Sequence, residues 1–335
     1  MKAVMSTGPG SVEIRDVPRP AGGSKAVIRV DQVGICGTDL KILRGDIPVA
    51  HPRVMGHEMI GEIIEPARAG SLPAGTRVLV NPGVFCATCD LCRRDRRHLC
   101  RRGGLLGRDI DGVFAEYVAS GEEFLHVVPV GMDRDAEAVL QVLGTVVHAQ
   151  RTVHPFPDAT AVVIGLGVSG LLHLQLLAAR GVRVIGITRS QWKRDLAERL
   201  GAAATAPPDG AEDLVDELTD GTGADVVVES VGSEATLRQA IELAGHAADI
   251  VLFGTLTSGT EGLPYYQLYL KELTIYNPRA AGPGDYDTGI ALASEGRLEL
   301  APLVTVRYAL EEAKSAFAAI GQKNLKVVLD VGTDR

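Results

Sequence analysis

Ala161-Val162-Val163-Ile164-Gly165-Leu166-Gly167-Val168-Ser169-Gly170 reads as a short strand that runs straight into a glycine-rich turn. Four consecutive apolar residues with no polar alternation belong to a strand covered on both faces. Leu171 to Ala179 continues as an apolar helix, and Gly181 ends it. In that setting Gly165-x-Gly167-x-x-Gly170 is a dinucleotide-binding turn. Its first glycine permits the tight turn, its second lets a pyrophosphate approach the backbone, and its third lets helix and strand pack closely. The N–H groups and dipole of the helix that follows favour an anion there. Gly165, Leu166, Gly167, Val168, Ser169 and Gly170 are therefore candidate cofactor-binding residues.

Downstream, Val182–Ile187 is a second buried strand and Gln191–Leu200 a second helix. Asp225–Glu229 and Asp249–Phe253 read as further strands, with helical Glu234–Ala244 between them. Buried strands alternating with helices predict an α/β class, a doubly wound parallel sheet of Rossmann type. The second strand ends in Ile187-Thr188-Arg189-Ser190, where an NAD-binding fold generally carries an acid for the ribose 2′-hydroxyl. An uncharged residue followed by Arg suits a 2′-phosphate, since guanidinium supplies charge-assisted hydrogen bonds. The pattern favours NADP(H) over NAD(H), with Thr188, Arg189 and Ser190 as contacts. Lys193 or Arg194 would add charge, or serve as solvated helix surface.

Upstream the texture differs. Val12–Val17, Ala26–Val30, Ile60–Ile64, Arg77–Val80, Phe114–Val118 and Phe124–Val128 have strand character, punctuated by Gly and Pro. Ala136–Val153 reads as a helix, and residues 278–335 return to mixed elements ending in the strand Leu325–Asp330. A chain of 335 residues is long for one core, so two domains are expected, 1–142 with 278–335 and the inserted 143–277. Hydrophobic content of 46% and charged content of 23% are those of a globular protein. A net charge of -8 excludes a general nucleic-acid binder. No signal peptide or membrane-spanning run is read, which with free thiols suits a reducing cytoplasm.

Four of the five cysteines stand within fifteen positions, Cys86, Cys89, Cys92 and Cys100, at C-x2-C-x2-C-x7-C spacing. Four thiolates so close form a closed tetrahedral site for a structural Zn²⁺, in a lobe of about 83–104. Local disulfides between residues three apart would be strained. The run Arg93-Arg94-Asp95-Arg96-Arg97 reads as the solvated surface of that lobe. The remaining Cys36 follows a strand, in Cys36-Gly37-Thr38-Asp39, and Gly56-His57-Glu58 comes about twenty residues later. A thiolate and an imidazole so placed suit a second zinc with an open position.

The order Cys36, Gly56-His57-Glu58-x-x-Gly61, a four-cysteine loop and a dinucleotide turn resembles the zinc-dependent medium-chain dehydrogenase/reductase family along the whole chain. The resemblance implies a GroES-like β-rich catalytic domain with an inserted Rossmann domain. It implies that Cys36 and His57 bind a catalytic zinc, that Glu58 approaches it, and that Asp39 hydrogen-bonds the histidine. It places Gln141, where relatives carry Cys, Glu or Asp, as the third protein ligand. A carboxamide is a weaker ligand and leaves the site one charge more positive, so either Gln141 binds the zinc, or Glu58 takes its place, or the metal is weakly held. Thr38 matches the hydroxyl that passes on a substrate proton, and Lys41 stands where many relatives have a relay histidine. Thr145 matches a nicotinamide contact, and Lys326 a basic residue on the pyrophosphate.

The expected activity is NAD(P)(H)-dependent interconversion of a secondary alcohol and its ketone, with two Zn²⁺ per chain. Asn81, Asp109, Asp111 and Glu116 beside Glu58, and an aromatic content of only 4%, favour a polyol, sugar or cyclitol. The rivals are a non-catalytic NADP(H)-binding protein with structural zinc alone, and an epimerase or reductase using the cofactor differently. A zinc-free reductase would lack the cysteine lobe and the Cys36/His57 pair. A homodimer or homotetramer is expected from the resemblance, and neither nucleic acid nor membrane is an expected partner.

Overall fold

The computed structural model describes residues 1–156, 158–256 and 262–332, which form two compact units. The first comprises Met1–Gly144, Ala280–Glu295 and Leu300 onward, the second Thr145–Arg279 and Gly296–Glu299. The α/β class and its two components are as the sequence predicts.

In the second unit, Thr160–Ile164 is flanked in parallel by Arg183–Ile187 and Ala224–Glu229. Ala204–Ala206 lies outside the former, and Ala244–Leu252 then Thr274–Tyr276 outside the latter, all parallel. Numbered along the chain, the strands order as 3-2-1-4-5-6, the Rossmann arrangement. Its core joins Val162, Ile164, Ile185 and Val227 to Leu237 and Ile241 of the helix Glu234–Leu243. The alternate residues Ala161, Val163, Val184 and Val228 are buried as well, so both faces exclude water and these strands show no polar alternation. One strand begins earlier than its apolar run implies. Ala244–Leu252 includes a register shift and Ala247 at φ 58, a bulge that hides the strand's start from a periodicity reading.

In the first unit, Ala26–Ile35 lies in a largely antiparallel seven-stranded sheet between Glu58–Glu65 and Lys326–Asp330, with Tyr117–Ser120 also pairing to it. Two of its registers meet at a single residue. Gly34 stands opposite Glu58 on one side and Val328 on the other. These pairings draw residues distant in sequence onto one short stretch of strand.

The expected helix Ala136–Val153 is interrupted. Asp133 caps a short turn Arg134–Glu137, and a new helix runs Leu140–Ala149 before a 3-10 turn Gln150–Thr152. Ion pairs fasten the first piece to the sheet: Arg77 holds Asp31 and Glu137, while Arg307 bridges Asp135 and Asp330, the latter at 2.6 Å. Arg134 adds a bond to Asp330 at 2.8 Å. This bracing sets where the helix carrying Gln141 begins.

Candidate functional site

Cys36 follows its strand directly and caps the helix Gly37–Arg44. Asp39, fully buried at the third helical position, returns its Oδ2 to accept the Cys36 N–H at 2.8 Å. Such a reciprocal cap satisfies an orphan helix donor and fixes the carboxylate's place. Its other oxygen, Oδ1, accepts no hydrogen bond among the described residues and lies 3.6 Å from His57 Nδ1. One acid thus orients both the thiol and the imidazole, leaving the other ring nitrogen of His57 for a ligand.

Ligand atoms of Cys36, His57 and Glu58 all lie within 4.8 Å of one another. Burial opposes an imidazolium, but the charge of Asp39 and the Cys36 thiol outweigh it and hold His57 well above its ordinary pKa. Thiol, imidazole and carboxylate are the donor types zinc takes. The residues fit that metal.

Glu58 has a partner the sequence does not disclose. Lys326, 3% exposed, ion-pairs with its carboxylate and donates to the Ile35 carbonyl at 3.2 Å. Lys326, expected on a cofactor pyrophosphate, is here a buried counter-ion of the cluster. Gly34 makes room for the pair. A Cβ there would fall 2.5 Å from Lys326 Cε and 2.6 Å from Glu58 Oε2. Gln141 lines a small cavity with Glu58, Gly34, Met59 and Glu137. Its Nε2 donates to the Tyr286 hydroxyl at 3.5 Å, a contact across 145 positions that nothing in the sequence signals.

Thr38 Oγ1 lies 3.8 Å from Cys36 Sγ, and Lys41 stands one turn along the same helix. The four polar residues read as pocket candidates each accept a backbone N–H. Asn81 and Asp109 accept the N–H groups of Gly83 and Leu105, Asp111 that of Val54, and Glu116 that of Lys2. Their side chains brace loops and strand edges, a local use that composition alone does not distinguish from substrate binding.

In the cysteine lobe, Sγ separations of 3.4 Å (Cys86–Cys100), 3.5 Å (Cys89–Cys92), 3.8 Å (Cys89–Cys100) and 4.0 Å (Cys86–Cys92) are far beyond a disulfide. Zn–S bonds near 2.3 Å give tetrahedral edges of about 3.8 Å, so the separations of the four sulfurs fit a tetrahedral zinc. Backbone N–H groups, that of Thr88 foremost, hold the Cys86 thiol down at about 5. Burial pushes Cys92 up to about 12. A dication bound there would favour thiolate ligands.

In the second unit, Gly165 adopts φ +91, and Ser230 Oγ ties its carbonyl at 2.7 Å. Gly170 has no space for a side chain, since a Cβ would lie 1.9 Å from the Gly165 carbonyl oxygen. At Gly167 a Cβ would meet nothing within 4 Å. That open face stands at the N-cap of Val168–Ala178, a helix whose first turn no side chain caps. An incoming phosphate therefore finds unhindered backbone at a helix N-terminus. Arg189 is exposed just beyond Arg183–Ile187 and has no hydrogen bond or ion pair among the described residues. Arg194 instead donates to the Thr188 carbonyl at 2.7 Å, bracing that turn, and Lys193 sits 5.5 Å from the Trp192 ring centroid. Thr145 lies one turn after Gln141 in Leu140–Ala149.

Residues 22–130 match the alcohol dehydrogenase GroES-like domain, and residues 168–295 match the zinc-binding dehydrogenase domain. The chain is 32% identical to a sorbitol dehydrogenase from Halalkalibacterium halodurans, over 98% of this chain and 99% of that one. It is likewise 32% identical to an L-threonine 3-dehydrogenase from Pyrococcus horikoshii, over 92% and 91%. Among solved structures, a zinc-binding dehydrogenase from Sinorhizobium meliloti 1021 bound to NADP superposes with a TM-score of 0.92, at 29% identity and 98% coverage of both chains. The chain therefore belongs to the zinc-dependent medium-chain dehydrogenase/reductase family and is an oxidoreductase.

Proposed function

We propose that the protein oxidises a secondary alcohol of a polyol, sugar or cyclitol to its ketone, reversibly, with NADP(H) and a zinc at the Cys36–His57–Glu58 cluster. The observation that carries this is the convergence of those three ligand atoms within 4.8 Å of one another. A bound zinc would supply Lewis acidity to a substrate oxygen, and the nicotinamide the hydride acceptor. The chain's own part is positional. Asp39 orients His57, Lys326 pairs with the buried Glu58 carboxylate, and Thr38 takes the hydroxyl proton, with Lys41 next along its helix. Gln141 stands as the remaining protein ligand. Gly165, Gly167 and Gly170 admit the pyrophosphate, and Thr188, Arg189 and Ser190 meet the 2′-phosphate. The four-cysteine lobe would hold the second zinc.

The sorbitol dehydrogenase relative supports a polyol, and the threonine dehydrogenase relative supports a secondary alcohol next to an amine. Both substrates are secondary alcohols, so the reaction class does not depend on the choice. The test is a substrate screen following reduced cofactor, run beside metal analysis. Turnover of a polyol or sugar with two zinc atoms per chain is expected. Arg189→Ala should raise KM for NADP about tenfold or more and leave NAD unchanged, the loss of one charge-assisted contact. Turnover confined to L-threonine or to hexanol would refute the polyol reading. One zinc and no turnover would favour a cofactor-binding protein, and epimerisation without net reduction an epimerase.

A homo-oligomer is part of the same proposal. Thr274–Tyr276 is the last strand of its sheet among the described residues, and Tyr265, Tyr266 and Tyr269 are exposed in the helix that precedes it. Sheet edges and clustered exposed aromatics favour association. Light scattering should give a multiple of the 35.3 kDa chain mass, and a value near 35.3 kDa would exclude it.

A further inference from the structure

A glutamine presents two chemically opposite ends, and only Oε1 has a lone pair to offer a cation. At Gln141 the Nε2 end donates to the Tyr286 hydroxyl at 3.5 Å, while Oε1 accepts no hydrogen bond among the described residues. Tyr286 is fully buried and comes from the helix Pro283–Ser294, whose start is fixed by Asp285 accepting the Gly282 N–H at 2.7 Å. Its ring occupies space that only Gly144 leaves, since a Cβ there would lie 2.4 Å from the ring. The His126 ring lies 5.2 Å away by centroid and is itself held by Asp287 at 2.6 Å. The hydroxyl is thus set from two sides and has little freedom to follow a rotating amide.

We propose that Tyr286 is a positioning residue that holds the Gln141 amide with its oxygen free for the metal of the Cys36–His57–Glu58 cluster. This role rests on the metal-site reading proposed for that cluster. A carboxylate needs no such fixing because both of its ends are oxygens, whereas a carboxamide that flips presents N–H groups to a cation. The hydroxyl would therefore be the structural counterpart of having glutamine at this position.

Tyr286→Phe keeps the ring and deletes the acceptor. It should weaken the cluster's metal about tenfold in chelator competition, the effect of losing a partner behind a ligand, and alter the visible spectrum of the Co²⁺-substituted protein. The metal of the four-cysteine lobe should be retained. In a Gln141→Glu background, the same Tyr286→Phe change should cost less than about threefold, because ligand orientation no longer matters. Wild-type affinity and spectrum in Tyr286→Phe would overturn the proposal. So would an equal loss in the Gln141→Glu background, which would mark a general packing defect. Cys36→Ser separates the two levels. If it retains both metals the metal-site reading itself fails, whereas its loss of one metal beside an unaffected Tyr286→Phe overturns the role of Tyr286 alone.

Discussion

Cys36→Ser is expected to lower turnover by about a thousandfold or more while leaving the fold intact. A serine hydroxyl stays neutral at neutral pH and replaces a thiolate ligand, so the cluster loses charge and a soft donor together. Loss of a Lewis acid worth several kcal/mol, roughly 4, corresponds to about three powers of ten in rate. Stability should move in the other direction or not at all. Cys36 is the N-cap of Gly37–Arg44, and serine is a preferred residue there. Kinetics, metal content and thermal unfolding on the same preparation check this. Full turnover with two bound metals would remove Cys36 from the catalytic site.

Gly56→Ala should be the most damaging small substitution beside the site. Gly56 has φ +88, and a Cβ would lie 2.0 Å from Cδ1 of Phe114, which is itself fully buried. The left-handed conformation costs about 1–3 kcal/mol in the absence of glycine's freedom. Overpacking against a ring held in the core adds about 1–3 kcal/mol. Gly107 and Gly112 leave no relief, since their own Cα atoms stand against the Gly56 backbone, with Cβ distances of 2.6 Å and 2.2 Å to its carbonyl oxygen. A loss of about 3 kcal/mol or more is expected in denaturant unfolding, with His57 displaced and metal released. Gly23→Ala is the control, because Gly23 has φ +95 but nothing within 4 Å of its Cβ position. If the two variants lose the same stability, the Phe114 clash contributes nothing.

What reads directly from the chain is what neighbours in sequence decide. The Rossmann sheet shows in contiguous apolar strands and in glycines two and three positions apart, because turn geometry and strand burial are local properties. The cysteine lobe shows because its ligands stand within fifteen residues and close their site without distant help. Asp39 serves Cys36 across three positions, within one helical turn. The bulge in Ala244–Leu252 and the break before Leu140 are hidden, since each depends on pairing or ion pairs supplied by other elements. Composition does not disclose the backbone partners of Asn81, Asp109, Asp111 and Glu116, which the fold supplies.

The cluster's surroundings belong to tertiary structure alone. Antiparallel register sets Gly34 opposite both Glu58 and Val328, and that crossing delivers Lys326 to the Glu58 carboxylate. No spacing rule connects those positions, because register is settled by which apolar faces meet in the sheet. The same holds for Tyr286 and Gln141, joined across 145 residues through the gap left at Gly144. The order of motifs therefore marks Cys36 and His57 as candidate ligands from the sequence. Packing between distant segments decides how Glu58 is neutralised and which end of Gln141 stays free.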